Sequence, residues 1–353
     1  MSGPPNPPTS AAVSARAGVV VAGLAGSDVP RRAQAALAAL QGAIGKKVIG
    51  LEDTVRHLLI GLLCEGHVLL EGVPGLAKTF LVRSFAEHLD LSFRRIQFTP
   101  DMLPSDILGN VTLDPATHEL TYRPGPVFGN VILADEINRA PPKVQSALLE
   151  AMQERQVTID GVSHPLPHPF IVIATQNPVE QEGTYPLPEA ELDRFMFRLL
   201  LPYPTEATEL AILRNQASPS ANEPLPAVLR PEELDAVSRG ASQVYVDDDV
   251  LRYLSLLVRQ TRADERVLLG ASPRSAVLWL GASRAAALLN GRSYVTPDDI
   301  KALAFPSLNH RLILRPDILA QQLGGGASGT GDPTQRVIAG LLDSILQQLP
   351  APR

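Results

Sequence analysis

The stretch Leu69–Thr79, LLEGVPGLAKT, decides the fold class of this 353-residue chain. A short apolar segment leads into a glycine-containing turn, and the helical segment that follows begins with Lys78 and Thr79. This order of strand, loop and helix is typical of phosphate binding, because loop N–H groups and the helix N-terminus converge on phosphate oxygens. We therefore expect a bound nucleotide to contact the residues Gly72, Val73, Pro74, Gly75, Leu76, Ala77, Lys78 and Thr79.

Two of these residues have specific expected roles. Lys78 would neutralise charge on the β- and γ-phosphates, and the Thr79 hydroxyl would bind Mg²⁺. Ala77 departs from the usual G-x-x-x-x-G-K-T pattern, which has glycine at that position. Because alanine fits there only at negative φ, we expect Ala77 to adopt that conformation. The alternative, a tight turn with a solvated lysine, is disfavoured because the flanking strand and helix have the order that the motif requires.

A second apolar segment, Val131–Ala134, ends in two acids, Asp135 and Glu136. Carboxylates at the carboxyl edge of a parallel sheet lie where ligands of such folds bind. There, Asp135 could hold Mg²⁺ through water and Glu136 could polarise the attacking water. A strand that simply ends in solvent could also be followed by two acidic residues. The interpretation of Asp135 and Glu136 as site residues therefore depends on the presence of the phosphate loop earlier in the chain.

Four further polar residues fit nucleotide hydrolysis. Asn177 follows the apolar segment Phe170–Thr175 and is predicted to orient the water or contact the γ-phosphate. Arg194 precedes the last apolar segment and could project from the edge of the subunit. Arg274 lies at the second position of a helix with a strong start signal, and Arg139 is a weaker candidate. An isolated arginine is more often solvated or salt-bridged, so the two stronger candidates depend on the motifs around them.

Short apolar strands alternate with helices up to residue 201, which predicts a parallel sheet covered on both faces. After Pro204 the sequence predicts helices alone. The expected fold class is α/β, with a parallel P-loop sheet followed by a smaller all-α domain. We divide the chain into a disordered tail over 1–30, a nucleotide-binding domain over 31–204, an all-α lid over 205–320, and a Gly-rich linker with a C-terminal helix over 321–353.

Composition excludes several classes of protein. The formal net charge of −6 argues against nucleic acid as the main ligand. The single cysteine, Cys64, excludes an internal disulfide framework and a thiolate metal cluster. No apolar run approaches the roughly 20 residues of a membrane helix. No convincing cleavage site follows the apolar segment Ala17–Gly26. The sequence therefore favours a cytoplasmic protein without direct membrane insertion.

Several motifs, in this order, resemble those of the MoxR-type AAA+ ATPases over roughly residues 35–310. The resemblance rests on the segments Glu71–Thr79, Asp135–Lys143, Gln145–Gln156, Ala174–Pro178, Glu189–Phe195 and Gly270–Arg274. Alanine at the Ala77 position is common in that family. By resemblance, the phosphate loop is a Walker A motif, and Asp135 with Glu136 is a Walker B motif. The remaining assignments by resemblance are Asn177 as sensor 1, Arg194 as arginine finger and Arg274 as sensor 2.

The resemblance also implies an activity and partners. It implies ATP and Mg²⁺ as ligands, and it implies a homo-oligomeric ring, expected to be a hexamer, in which an arginine acts across the interface. The family's chaperone-like motors act on client proteins, among them proteins with von Willebrand factor A domains. An insertion in the second core helix, here Gln97–Val127, and a hairpin, here Val157–Pro169 with its Asp160-Gly161 turn, are the family's partner-engaging loops.

Two alternatives use the same ATP machinery. A nucleic-acid motor of the helicase or branch-migration type would need basic, aromatic-lined loops. The basic residues of the insert and the hairpin are few, and acidic residues outnumber them. The basic residues are Arg123, His118, His164 and His168, and the acidic residues are Asp101, Asp106, Asp114, Glu119 and Asp160. This balance disfavours phosphate tracking. A nucleotide-gated switch without turnover is disfavoured because every predicted catalytic position is filled.

Overall fold

The structure is a computed structural model that describes residues 28–113, 115, 118–177, 183–216, 227–323 and 332–352. Most of the predicted tail over 1–30 and the Gly-rich segment 324–331 lie outside the described residues. Within the described ranges, no helix is both long enough and apolar enough to span a membrane.

The chain alternates strands and helices in its first part and is mainly helical in its second. The strands are β1 His67–Glu71, β2 Phe93–Gln97, β3 Gly109–Leu113, β4 Leu120–Pro124, β5 Val131–Asp135, β6 Gln156–Ile159, β7 Val162–Pro165, β8 Ile171–Gln176, β9 Phe195–Leu200, β10 Val267–Leu269 and β11 Ile313–Leu314. The helices are α1 Val29–Gly45, α2 Glu52–Leu63, α3 Lys78–His88, α4 Pro104–Leu108, α5 Pro142–Glu154, α6 Glu189–Leu192, α7 Glu206–Gln216, α8 Pro231–Ser242, α9 Asp248–Ala263, α10 Pro273–Leu289, α11 Pro297–Ala302, α12 Ala304–Leu308, α13 Pro316–Leu323 and α14 Pro333–Gln348.

Five strands form the central sheet, in the order β2-β5-β8-β1-β9, and every pairing is parallel. All five residues of β1 and of β5 are buried, as expected for aliphatic runs that are covered on both faces. The predicted parallel sheet is therefore confirmed. Because the strands are parallel, the chain leaves β1, β5 and β8 at the same edge of the sheet.

Helices cover both faces of the sheet. On one face, α2 and α3 pack against it and α1 packs on these two helices. Their core continues into the mainly helical part of the chain from α7 onward, here called the second domain, where Trp279 of α10 is fully buried. On the other face, α5 covers the sheet through residues such as Leu148 and Leu149. The helix α10 contacts α1, α2 and α8, so the second domain packs on the helices that cover the first face of the sheet.

Among the described residues, the second domain departs from the all-α expectation by a short pair of strands. The strands β10 and β11 form a short antiparallel pair, Val267 opposite Leu314 and Leu269 opposite Ile313. These apolar segments are too short to show the periodicity of a helix or of a strand, so the sequence does not distinguish them from a loop. The C-terminal helix α14 is present as predicted, and its apolar face, including Ile338, packs into the core of this domain.

The insert after β2 contains the short helix α4 and the hairpin β3–β4. A second hairpin, β6–β7, turns at Asp160 and Gly161, whose φ angles of 49° and 79° are those of a tight two-residue turn. The two hairpins meet where the ring of Tyr122 stacks on His164, with 4.2 Å between the centroids. The segments predicted as partner-engaging loops therefore lie next to each other.

His67, at the start of β1, is a buried structural histidine. Its Nδ1 accepts the backbone N–H of Val172 at 3.0 Å, and its Nε2 lies 3.1 Å from the Met152 carbonyl oxygen. Both contacts are satisfied only by the neutral ring with its proton on Nε2. Burial lowers the pKa of His67 to about 4.

The buried ring predicts a specific loss of stability in acid. The unfolded chain takes up this proton near pH 6.5 and the folded chain only near pH 4, so stability present above pH 6.5 is lost as the pH falls through that window. The loss reaches about 3 kcal/mol. Urea unfolding at pH 7, 5.5 and 4.5 should show a flatter pH dependence for His67→Gln than for wild type or for His118→Gln, which changes an exposed histidine. Equal slopes would contradict the assignment.

Candidate functional site

The carboxyl ends of β1, β5 and β8 open onto a cleft of about 370 Å³. Its lining comes from the loop and first turn of α3 and from two neighbouring strands. The lining residues are Pro74, Gly75, Leu76, Ala77, Lys78, Thr79, Phe80, Asp135, Glu136, Thr175 and Asn177. The fold thus brings together the predicted loop, both acids and Asn177, while Gly72 and Val73 belong to the loop without lining the cleft.

Steric constraints explain why the loop has glycine at positions 72 and 75. A Cβ on Gly72 would lie 3.0 Å from both the Cβ and the carbonyl oxygen of Leu201, which follows the edge strand β9. Gly75 has a φ of +90°, a conformation that L-residues rarely adopt. The loop therefore passes close to β9 and then turns into α3.

The expectation of a negative φ at Ala77 is wrong. Ala77 adopts φ 54° and ψ 24°, the left-handed region, as the residue that begins α3. Its carbonyl accepts the N–H of Leu81 at 2.9 Å, the first bond of the helix. A left-handed conformation costs a non-glycine residue about 1–2 kcal/mol, and the loop imposes it because β1 and α3 fix both of its ends. The small alanine side chain keeps the loop open at this position.

Lys78 faces negative charge on several sides. Its Nζ donates to the Gly72 carbonyl oxygen at 2.6 Å. Burial lowers the pKa of Lys78, and attraction to the carboxylates of Asp135, Glu136 and Glu71 opposes that shift. An ammonium held in this way at a helix N-terminus provides a positive site for an anionic ligand.

Asp135 is held through both carboxylate oxygens. The Thr175 hydroxyl donates to Oδ1 at 2.6 Å, and the Arg95 guanidinium donates to Oδ2 at 3.0 and 2.7 Å. The same Thr175 oxygen accepts the backbone N–H of Glu136 at 2.9 Å. One buried threonine on β8 therefore orients both acids at the end of β5.

Glu136 begins a short 3-10 turn and has a left-handed backbone, with φ 59°. Its Oε2 accepts a hydrogen bond from Gln97 Nε2 at 2.8 Å and lies 3.3 Å from Arg139 Nε. Its side chain is 30% exposed, so water reaches it. Strained backbone of this kind concentrates at functional sites, where the surrounding contacts maintain it.

Sequence reasoning missed several residues of this site, among them Arg95, Gln97 and Thr175. Arg95 and Gln97 lie two apart on β2, so they share a face of the strand, and Gln97 pairs with Asp135 in the sheet. The available signal was that two polar residues, Arg95 and Gln97, lie on the same face of a short strand. Its meaning depended on β2 being the neighbour of β5, which the order of segments along the chain does not show.

Arg194 and Arg274 do not line the cleft of their own chain. In the parallel pairing of β1 with β9, Phe195 lies opposite His67 and Leu200 opposite Glu71. Arg194 therefore precedes the strand end that is distant from the phosphate loop. Five strand residues span about 16 Å, so Arg194 lies at least that far along the sheet from the loop.

Asp193 places the two arginines on the same side of the molecule. Its carboxylate accepts hydrogen bonds from Ser272 Oγ at 3.1 Å and Ser275 Oγ at 3.2 Å, the residues on either side of Pro273 and Arg274. Arg194 directly follows Asp193 in the chain. The start of α10 is thus anchored beside Arg194, at the amino-terminal ends of the parallel strands, whereas the cleft lies at their carboxyl ends.

A buried arginine that sequence reasoning missed completes this junction. Arg311, whose side chain is 2% exposed, donates from Nε to Asp193 Oδ1 at 2.7 Å and from Nη2 to the carbonyl oxygens of Asp193 and Phe195. The second domain is therefore locked to the start of β9. Over the described part of the chain, no group of three or more His, Cys, Asp or Glu side chains could hold a metal ion.

The chain is similar in sequence to known proteins. A family model described as "ATPase family associated with various cellular activities" matches residues 67–197, and an AAA lid domain model matches residues 259–325. The chain is 48% identical to the uncharacterized protein YeaC of Bacillus subtilis over 78% of this chain and 86% of that protein. It is 44% identical to Chaperone MoxR1 of Mycobacterium tuberculosis, over 78% and 75%.

Similarity extends to solved structures. A crystal structure of a candidate ATPase from Cytophaga hutchinsonii superposes with a TM-score of 0.82 at 39% identity. The match covers 92% of this chain and 98% of that one. Protein MoxR of Paracoccus denitrificans is 32% identical over 82% of this chain and 91% of its own length.

Proposed function

Because this chain belongs to the MoxR family of AAA ATPases, we propose that it hydrolyses ATP in the cleft beside Lys78 and uses the reaction to remodel or activate partner proteins. The observation that carries the proposal is the convergence of the phosphate loop, two oriented carboxylates and Asn177 at one edge of the sheet. The reaction is ATP plus water to ADP plus phosphate, and it requires a phosphate site, a general base and stabilisation of negative charge.

The residues present fit a nucleotide with Mg²⁺. The Thr79 hydroxyl and the Asp135 carboxylate are hard oxygen ligands of the kind that Mg²⁺ prefers. Bound Mg²⁺ would neutralise charge on the phosphate oxygens. Lys78 and the N-terminus of α3 would bind the same phosphates, and Thr175 with Arg95 keeps Asp135 oriented toward the cleft.

Glu136 is proposed as the general base. Its carboxylate would accept a proton from the water that attacks the γ-phosphorus, and Asn177, which directly follows the neighbouring strand β8, would orient that water. In the structure, Gln97 and Arg139 hold the carboxylate at the rim of the cleft. Both contacts are made to Oε2, and an ionised carboxylate has further lone pairs that can accept a hydrogen bond from the attacking water.

We propose that Arg194 and Arg274 both act on the nucleotide of a neighbouring subunit. Both lie on the side of the sheet opposite their own phosphate loop, and Asp193 anchors them together. A head-to-tail ring places this side of one subunit against the cleft of the next. Hydrolysis would then require assembly, and a hexamer is the proposed working unit.

The proposed partner is a protein. One relative is named a chaperone, and the family resemblance suggests clients with von Willebrand factor A domains. Leu113 and Leu120 form a cross-strand pair at the end of the insert hairpin, and their side chains are 57% and 74% exposed. An exposed aliphatic pair suits contact with another protein, whereas nucleic acid would call for basic and aromatic residues.

Nucleotide binding is the first test. Lys78→Ala should weaken binding of a fluorescent ATP analogue at least about 30-fold, because losing one buried charge contact costs about 2 kcal/mol or more. The matched control is Lys143→Ala, which removes an exposed lysine outside the cleft and should leave the affinity unchanged. An unchanged affinity of Lys78→Ala would overturn the phosphate-loop assignment.

A further inference from the structure

A buried ion pair lies directly before the phosphate loop. Glu71 is the last residue of β1, and its Oε2 accepts hydrogen bonds from Arg198 Nε at 2.9 Å and Nη2 at 2.6 Å. Arg198 is on the adjacent edge strand β9, and the two side chains are only 10% and 16% exposed. Because removing two charges from water costs free energy, stabilisation of the fold does not by itself explain why a buried ion pair is present.

The pair lies close to the lysine of the loop. Lys78 Nζ donates to the carbonyl oxygen of Gly72, the residue that directly follows Glu71. Besides Glu71, the carboxylates near this ammonium belong to Asp135 and Glu136. Each of the three has an arginine at ion-pair distance, namely Arg95 at 2.7 Å for Asp135, Arg139 at 3.3 Å for Glu136 and Arg198 at 2.6 Å for Glu71.

We propose that Arg198 is a positioning residue for nucleotide binding, which holds and neutralises the Glu71 carboxylate so that the Lys78 ammonium stays available to phosphate. This inference rests on the proposed ATP site. Asp135 and Glu136 have roles in that site, whereas Glu71 does not line the cleft and contributes only negative charge. Arg198 offsets that charge, and its own backbone carbonyl is held by Asn309 Nδ2 of the second domain at 2.9 Å.

Removing Arg198 alone would leave Glu71 charged and unpaired. Attraction between unlike charges is many times stronger at a partly buried site than in water, so Glu71 would then compete with ATP for Lys78. The same carboxylate would repel the phosphates. A merely structural pair makes a different prediction, because losing it would lower the stability of the fold and would weaken ATP and ADP binding equally.

The test is equilibrium binding of fluorescent ATP and ADP analogues to the full chain. Arg198→Met should weaken ATP binding at least about tenfold, because an unpaired buried charge accounts for much of the cost of breaking such a pair. The loss should be larger for ATP than for ADP, which carries less charge. Arg198→Lys, which keeps the charge, should bind nearly as wild type does. The double variant Glu71→Gln/Arg198→Met should recover most of the affinity.

A matched control comes from the second domain. Arg292 and Asp299 form another shielded ion pair, at 2.5 Å with side chains 26% and 4% exposed, and neither lines the cleft. Arg292→Met should lower the melting temperature and leave nucleotide affinity unchanged. If Arg198→Met does not fold, Glu71→Gln alone decides the question, since near wild-type ATP affinity without the carboxylate supports the proposal and a loss of about tenfold overturns it.

Two results would overturn the inference. One is a double variant that binds as weakly as Arg198→Met. The other is an equal loss for ATP and ADP. Failure of the wild-type chain to bind ATP would instead overturn the proposed function, so the two failures are distinguishable.

Discussion

Replacing Arg194 by alanine should remove nearly all ATP turnover while leaving ATP binding to the same subunit intact. The arginine lies at the sheet edge opposite its own cleft, at least about 16 Å along β9 from the phosphate loop. It therefore contributes no contact to nucleotide bound by its own chain. Arginine fingers contribute about 10³–10⁵ in rate in nucleotide hydrolases, and a loss of that size is expected in a phosphate-release assay.

Mixing experiments separate action across the interface from action within one subunit. Subunits carrying Arg194→Ala keep Glu136, and subunits carrying Glu136→Gln keep Arg194, so each preparation alone should be inactive. A mixed ring contains interfaces with both intact residues and should recover part of the activity. The matched control is Arg252→Ala, which removes an exposed arginine of the second domain. Parallel loss of ATP affinity and turnover in Arg194→Ala would refute the assignment.

Replacing Glu136 by glutamine should leave ATP bound but unhydrolysed. The amide has nearly the same shape, and its oxygen can still accept the hydrogen bond from Gln97, but it cannot accept a proton from water. General-base catalysis contributes about 10²–10⁴ in rate, which sets the expected loss. The matched control is Glu150→Gln, an exposed glutamate on α5. Normal phosphate release by Glu136→Gln would eliminate the general-base role.

The same variant offers a way to find the client. A subunit that holds ATP without hydrolysing it should retain its partner, whereas Lys78→Ala should not reach that state. Tagged Glu136→Gln and Lys78→Ala chains, purified in parallel from the native host with ATP present, therefore form a matched pair. A protein retained by both equally would not be a nucleotide-dependent client.

Local sequence was sufficient for much of the fold and for the phosphate loop. Aliphatic runs such as Val131–Ala134 predict strands buried on both faces, because continuous apolar runs are typical of strands that are covered on both sides. The loop before Lys78 has a local signature as well, since its function depends on backbone groups of consecutive residues. Ala77 shows the limit of local reasoning: its intrinsic preference for negative φ is overridden because β1 and α3 fix the two ends of the loop.

The sequence by itself determined the strand–loop–helix motif, the two acids at the end of β5 and Asn177 after β8, since each is specified by neighbours in the chain. Only the tertiary structure decided that Arg95 and Gln97 hold those acids, that Arg198 neutralises Glu71, and that Asp193 places Arg194 beside Arg274. These contacts join residues 39 to 127 positions apart, as with Gln97 and Glu136 or Glu71 and Arg198. They depend on which strands become neighbours in the sheet, and that order follows from packing of the whole chain and not from any local pattern.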